Sequence, residues 1–383
     1  MIAQPPECLP TTDGEIAIIN LASARRRSWN KFFAEPTRAG AAETVVEHEQ
    51  LTLQFVGDVS ALDRVELLGA QLDQIDPPSA RALLMQTQVA SMAHRFSDAR
   101  HYLSQAEIGR APARDIDRLR LTINQACGEN LDNVLDVRRR IVIETQELVD
   151  FVALGSLLAD LGDFAAADHA YKEALRAYRD VSPFPVAWVC FQLGVLWGEL
   201  AAEPELSRAA QWYRRAITVL PMYTKARVHL AEICSSEGRL SEAEALLRPV
   251  TAIGGPEVDW RLADVLGAQG KCDESETWMK AARSGFESLL DRHLLAFADH
   301  GAEFYAGSGN DYRRALQLAR VNADNRPTLR ALEQAHDIAT SADDTTAALE
   351  FLSEAVERWG RTPAFALSSL QRHQLKKREG AAT

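Results

Sequence analysis

Apolar residues recur along most of the chain at intervals of three and four, in stretches of roughly a dozen positions. Short polar turns divide them, as at Gly162–Asp163, Gly238–Arg239 and Gly270–Lys271. The pattern predicts short amphipathic helices grouped in pairs. Val65, Ala99, Asn133 and Ala167 stand 34 residues apart, each early in such a stretch, and a fixed period of this size marks a repeat architecture. Ala209, Ala243, Ser275, Ala315 and Ala348 continue the series to nine units. Pro183/Pro185, Glu203–Pro204 and Gly307–Asn310 lengthen some gaps, which places the insertions in loops. A single helix pair cannot bury its own apolar face, whereas stacked pairs supply that surface to one another.

Phe151, Leu154, Gly155, Leu158, Gly162, Ala167, Tyr171 and Ala174 form a series of large, large, small, large, turn, small, aromatic and small residues. Leu193, Gly194, Trp197, Ala209, Tyr213, Ala216 and Pro221 repeat it, and Leu230 to Val250 and Leu262 to Ala282 follow. This series resembles the tetratricopeptide repeat, best between Phe151 and Ala282 and more loosely from Val45 to Pro363. Small residues let helix axes approach to about 8–10 Å. The resemblance implies an all-α fold, a right-handed α-solenoid of about nine tetratricopeptide-like helix pairs with a C-terminal capping helix. The expected divisions are an irregular lead with one helix (1–44), degenerate units (45–147, with Asn133 and Arg140 off-pattern), well-matched units (148–288), divergent units (289–363) and a capping helix with a tail (364–383). The lead helix is expected over Glu15 to Phe33, docking Trp29, Phe32 and Phe33 on the first unit.

In proteins of this family the first helix of each pair lines a concave groove. Carried over by position, the groove includes Val152, Ser156, Trp188, Phe191, Gln192 and Val195, then Lys225, His229 and Glu232. It continues through Trp260, Arg261 and Asp264 to Asp299, His300, Glu303, Glu333 and His336. Trp188, Phe191 and Trp260 are candidates for an apolar pocket taking a partner's anchor residue, against the alternative that they are core. The family's clamp for a terminal carboxylate is a set of Lys, Arg and Asn residues, of which only Lys225 and Arg261 are present. Glu232, Asp264, Asp299 and Glu303 instead suit a basic or mixed-charge segment.

Composition narrows the classes further. The 383 residues are 46% hydrophobic and 25% charged, ordinary for a globular protein. A formal charge of −12 opposes nucleic-acid binding, which needs concentrated positive charge. No signal core or membrane span is expected in the lead, and five scattered cysteines suggest neither a disulfide framework nor a zinc ribbon, which together point to the cytoplasm. No nucleophile elbow, phosphate loop or metalloprotease motif is present, so an enzyme is not expected, nor is a cofactor.

Three pairs, His229 with Glu232, His300 with Glu303 and Glu333 with His336, each set an imidazole and a carboxylate one helical turn apart. Such pairs ligate metals when facing helices bring them together, but here they lie in different units, with the Arg261/Asp264 unit between the first two and only the second and third adjacent. The expected function is therefore a non-catalytic scaffold or adaptor binding a protein or peptide segment in the groove. The alternative is a metal- or small-molecule-binding solenoid centred on Asp299, His300, Glu303, Glu333 and His336. A third reading is self-association, the groove receiving a neighbour's N-terminal helix.

Overall fold

The computed structural model describes residues 10–75 and 78–374; Cys8 and the terminal cations Lys376, Lys377 and Arg378 lie outside them. Among the described residues all regular structure is helical. Helix α1 (Gly14–Ala34) leads. The pairs that follow are α2 (Ala41–Leu51) with α3 (Ser60–Leu72), α4 (Ala80–Met92) with α5 (Phe96–Ile108), α6 (Ala113–Ala126) with α7 (Leu131–Thr145), and α8 (Leu148–Asp160) with α9 (Phe164–Ala177). Next come α10 (Pro183–Val195) with α11 (Leu206–Val219), α12 (Thr224–Ser236) with α13 (Leu240–Leu247), and α14 (Gly255–Ala268) with the first half of α15 (Cys272–Ala306). The second half of α15 pairs with α16 (Tyr312–Asn325), and α17 (Leu329–Ser341) with α18 (Thr345–Trp359). The short α19 (Pro363–Leu367) closes the series.

The 34-residue series marks the tightest contacts. Val65, Ala99, Ala167, Ala209, Ala243 and Ala315 are fully buried, because a larger side chain there would hold paired helices apart. Ser275 stands in the same place and donates its hydroxyl to the Ala263 carbonyl at 2.7 Å. In α7 the register slips by one: Asn133 is exposed and Val134 takes the buried position. Gly194 is required by contact, since a Cβ there would lie 2.3 Å from the Tyr213 ring. The aromatic of the second helix thus rests directly on the backbone of the first.

Two boundaries differ from expectation. No loop separates the two halves of α15; the chain kinks at His293 alone, where φ is −137° and ψ 49°, and no Gly or Pro stands near that point to mark it in sequence. The closing helix expected from Ala364 breaks at Ser368, whose backbone is extended. Its hydroxyl accepts the Gln371 N–H at 3.2 Å, starting a second helical run over 369–374.

Helix α1 spans more than the first unit. Phe32 is buried with α2 and α3, whereas Ala17 and Leu21 join the central core with Tyr171, Tyr213 and Leu247. Thr12 donates its N–H to the Val181 carbonyl at 2.7 Å.

Distant repeats also meet. His293 bonds Asp63 at 2.8 Å, 230 residues away, and Arg292 pairs with the same carboxylate. Asn325 donates to the His94 carbonyl at 3.0 Å across 231 residues, and Trp359 lies against Gly128. This offset is about seven repeats of 34 residues, so the winding array returns on itself after about seven pairs. Gly162, with φ +86°, combines a turn with such a meeting: a Cβ there would sit 2.6 Å from the Ala364 nitrogen.

Candidate functional site

Side chains from α10 and its extension, α12, α14, α15 and α17 form a continuous chain of charged contacts. Glu199, in the π-helical extension Leu196–Leu200 of α10, lies 2.7 Å from His229 Nδ1. It also accepts the Tyr213 hydroxyl at 3.1 Å and Arg330 Nη2 at 3.1 Å. His229 stands 3.5 Å from Glu232, Glu232 is 2.6 Å from Arg261, and Arg261 reaches Glu303 at 2.7 Å. Arg330 and Glu199 are 131 residues apart, about four repeats, so this bond joins helices of non-adjacent units.

Electrostatics follow from that geometry. Burial pushes Glu199 up, but His229, Arg330 and the Tyr213 hydroxyl outweigh it and hold the carboxyl at about 2. Burial pushes the His229 imidazole down, while Glu199, with Glu232 and Glu257, carries it above its ordinary value. Glu232 is raised by burial against the pull of Arg261 and His229. Asp299 is penalised by burial yet held at about 2 by His300 and Arg326.

The sequence-derived residues do not gather in one place. His229, Glu232, Arg261 and Glu303 come together as an ion-pair chain. Lys225 is exposed at the start of α12 and, with His300, His229 and Arg261, offsets the burial penalty on Glu257. Gln192 and Ser156 share the Tyr171 hydroxyl, and Asp264, exposed, accepts the Ser308 hydroxyl at 2.8 Å.

The aromatic anchor pocket is not formed. Trp260 is 3% exposed and packs edge-on against Phe286 and Phe304. Arg261 covers its ring at 3.6 Å. Phe191 is buried against Tyr213, Tyr223 and His229, and Trp188 is half-buried on the central core. Val152 is also buried. These residues fill the space between neighbouring pairs, the alternative that helical spacing leaves open.

The five-residue polar centre of the alternative reading is likewise dispersed. Asp299 pairs with Arg326, His300 stands 3.9 Å from Glu257, and Glu303 serves Arg261. Glu333 accepts the Ser369 N–H at 3.0 Å, while His336 is buried beside Asp337. Only the first of the three His–acid pairs meets as such; in the second both partners turn to α14, and in the third Glu333 turns to Ser369.

Sequence reasoning missed Glu199, Glu257, Arg326 and Arg330. Glu199 lies one turn beyond Val195, where the helical stripe of α10 was not extended. Arg330 lies one turn before Glu333, on a face already singled out.

Residues 151–181 match the family model of the tetratricopeptide repeat, and this stretch is a tetratricopeptide repeat within an all-helical array. No curated protein matches the chain. Two solved structures are similar to it in part. The APC/C hetero-tetramer Cut9–Hcn1 aligns over 91% of this chain and 66% of its own, with 14% identity and a TM-score of 0.45. PilW, a type IV pilus biogenesis factor, aligns over 57% of this chain and 96% of its own, with 14% identity and a TM-score of 0.31. The chain thus spans about two thirds of the length of the first. No described helix is long and apolar enough to cross a membrane.

Proposed function

We propose that the chain is a non-catalytic scaffold that holds a protein segment of basic or mixed charge against the inner face between α10 and α15. The observation that carries this reading is the sharing of charge along that face: three carboxylates, Glu199, Glu232 and Glu303, divide two guanidinium groups and one imidazole among them. A partner's Lys or Arg competes most readily where one member of a pair is exposed, because solvent-exposed ion pairs contribute only about 0–1 kcal/mol each. Arg330 and Glu303, with side chains 68% and 50% exposed, are the pairings that yield first.

Burial of Phe191 and Trp260 removes the apolar anchor from this reading and leaves recognition to charge. Packing of α1 on its own chain weakens the case for self-association through that helix. We assign the protein to the cytoplasm, where the buried thiols of Cys127, Cys190 and Cys234 suit a reducing environment.

The test places a photo-crosslinking amino acid at Lys225, on the inner face, or at Lys280, which is exposed on α15. The reading expects a partner to be joined from position 225 and not from 280, and the joining to weaken in a Glu232→Gln, Glu303→Gln variant. Equal labelling from both positions would overturn it.

A further inference from the structure

At the far end of the array, His336 of α17 and His373 of the run after Ser368 bring their rings to 4.7 Å between centroids. Asp337 stands with them, and one donor atom from each of the three side chains lies within 4.8 Å of the other two. Two contacts set that meeting. Glu333, one turn before His336, accepts both the N–H and the hydroxyl of Ser369 at 3.0 and 3.2 Å, and Ser369 lies one turn before His373. Leu370 is fully buried next to that anchor. The two helical segments are thus pinned in register, one turn short of the histidines.

Burial is graded across the group. His336 is 5% exposed, so its ring is fixed by packing, whereas Asp337 and His373 are exposed. The cluster therefore has a rigid floor and a side open to solvent. Its donors are two imidazole nitrogens and a carboxylate oxygen, a set that favours Zn²⁺, Co²⁺, Ni²⁺ or Cu²⁺ over the oxygen-seeking Mg²⁺ and Ca²⁺. Tetrahedral bonds of about 2.0–2.2 Å place donor atoms about 3.3–3.6 Å apart. His336 Nδ1 and Asp337 Oδ1, at 3.2 Å, already approach that spacing, and the His373 nitrogen, within 4.8 Å of both, is the donor that has to close in.

We propose that His336, Asp337 and His373 form a binding site for a divalent transition-metal ion, represented by Zn²⁺, with water completing its shell. The ion would join α17 to the last described helical run, so its binding fixes the end of the array. This site is separate from the inner-face charge chain and from partner binding there.

The experiment uses the full chain without an affinity tag, stripped with chelator and titrated calorimetrically with Zn²⁺. The expected result is one ion per chain and a rise in melting temperature, with no comparable response to Mg²⁺. His373→Ala and Asp337→Ala, both at exposed positions, should each weaken binding about tenfold or more, a loss at least as large as that from outer-shell changes at metal sites. Circular dichroism checks that both variants keep their helices, and Glu303→Gln serves as the inner-face control with unchanged affinity. Absence of Zn²⁺ binding, or binding equally strong in both variants, overturns the proposal.

Discussion

Glu199 and Arg330 meet at 3.1 Å although 131 residues separate them, so one ion pair ties together units that are not neighbours in sequence. Arg330 is the exposed member, and Arg330→Ala should change global stability by only about 0–1 kcal/mol in urea unfolding. Its clearer effect is on the charge chain: loss of the guanidinium removes a cation from Glu199, so the His229 imidazole should titrate higher in the variant when followed by NMR. An unshifted His229 would show that Arg330 does not reach the network in solution.

The Glu199–His229 pair also sets a pH window. His229 is raised in the folded state, so its contribution is complete below the ordinary value of 6.5 and is lost as pH rises through the folded value. Glu199 is lowered from 4.5 to about 2, so its contribution is present above 4.5 and fades as pH falls toward 2. Stability from the pair is therefore greatest between about pH 4.5 and 6.5. His229→Gln should flatten the alkaline side of the stability profile measured by thermal melts, and an unchanged slope there counts against the pairing.

Gly194→Ala tests the packing of first helix on second. Its Cβ would lie 2.3 Å from the Tyr213 ring, and overpacking of a filled core costs about 1–3 kcal/mol. Chemical denaturation should record a loss in that range.

Trp260→Ala separates core from groove. With 3% exposure and two aromatic neighbours, truncation should cost about 3–5 kcal/mol and lower the melting temperature markedly. A variant that melts like the parent but loses its partner would restore Trp260 to a binding role.

The repeat was legible because its signal is local and steric. Ala167 and Ala209 are small for the same reason wherever two helices cross, and Gly194 and Tyr213 form one contact written twice in the sequence. The anchor pocket was misjudged because Trp260 and Phe191 lie on helices apolar on more than one face, where periodicity does not separate core from groove. Closure of the interior was not legible at all. It depends on small rotations accumulated over several pairs, which no single stretch encodes, and so the meeting of Arg330 with Glu199 has no sequence signature. Of the His–acid pairs, His229 with Glu232 held, each side chain also reaching a partner on another helix, Glu199 and Arg261. Glu303 turned to Arg261 because a guanidinium from the adjacent helix is a stronger partner than an imidazole on its own.

The bonds from Asp63 to His293 and from Asn325 to His94 change how this array should unfold. Repeat proteins ordinarily lose structure in a quasi-one-dimensional way, each unit answering only to its neighbours. Here residues some 230 positions apart share hydrogen bonds, which raises the contact order and slows folding relative to a simple helical stack. Opening of the helices around Asp63 and His94 is therefore coupled to opening of those around His293 and Asn325, and these two regions are expected to melt together rather than in sequence.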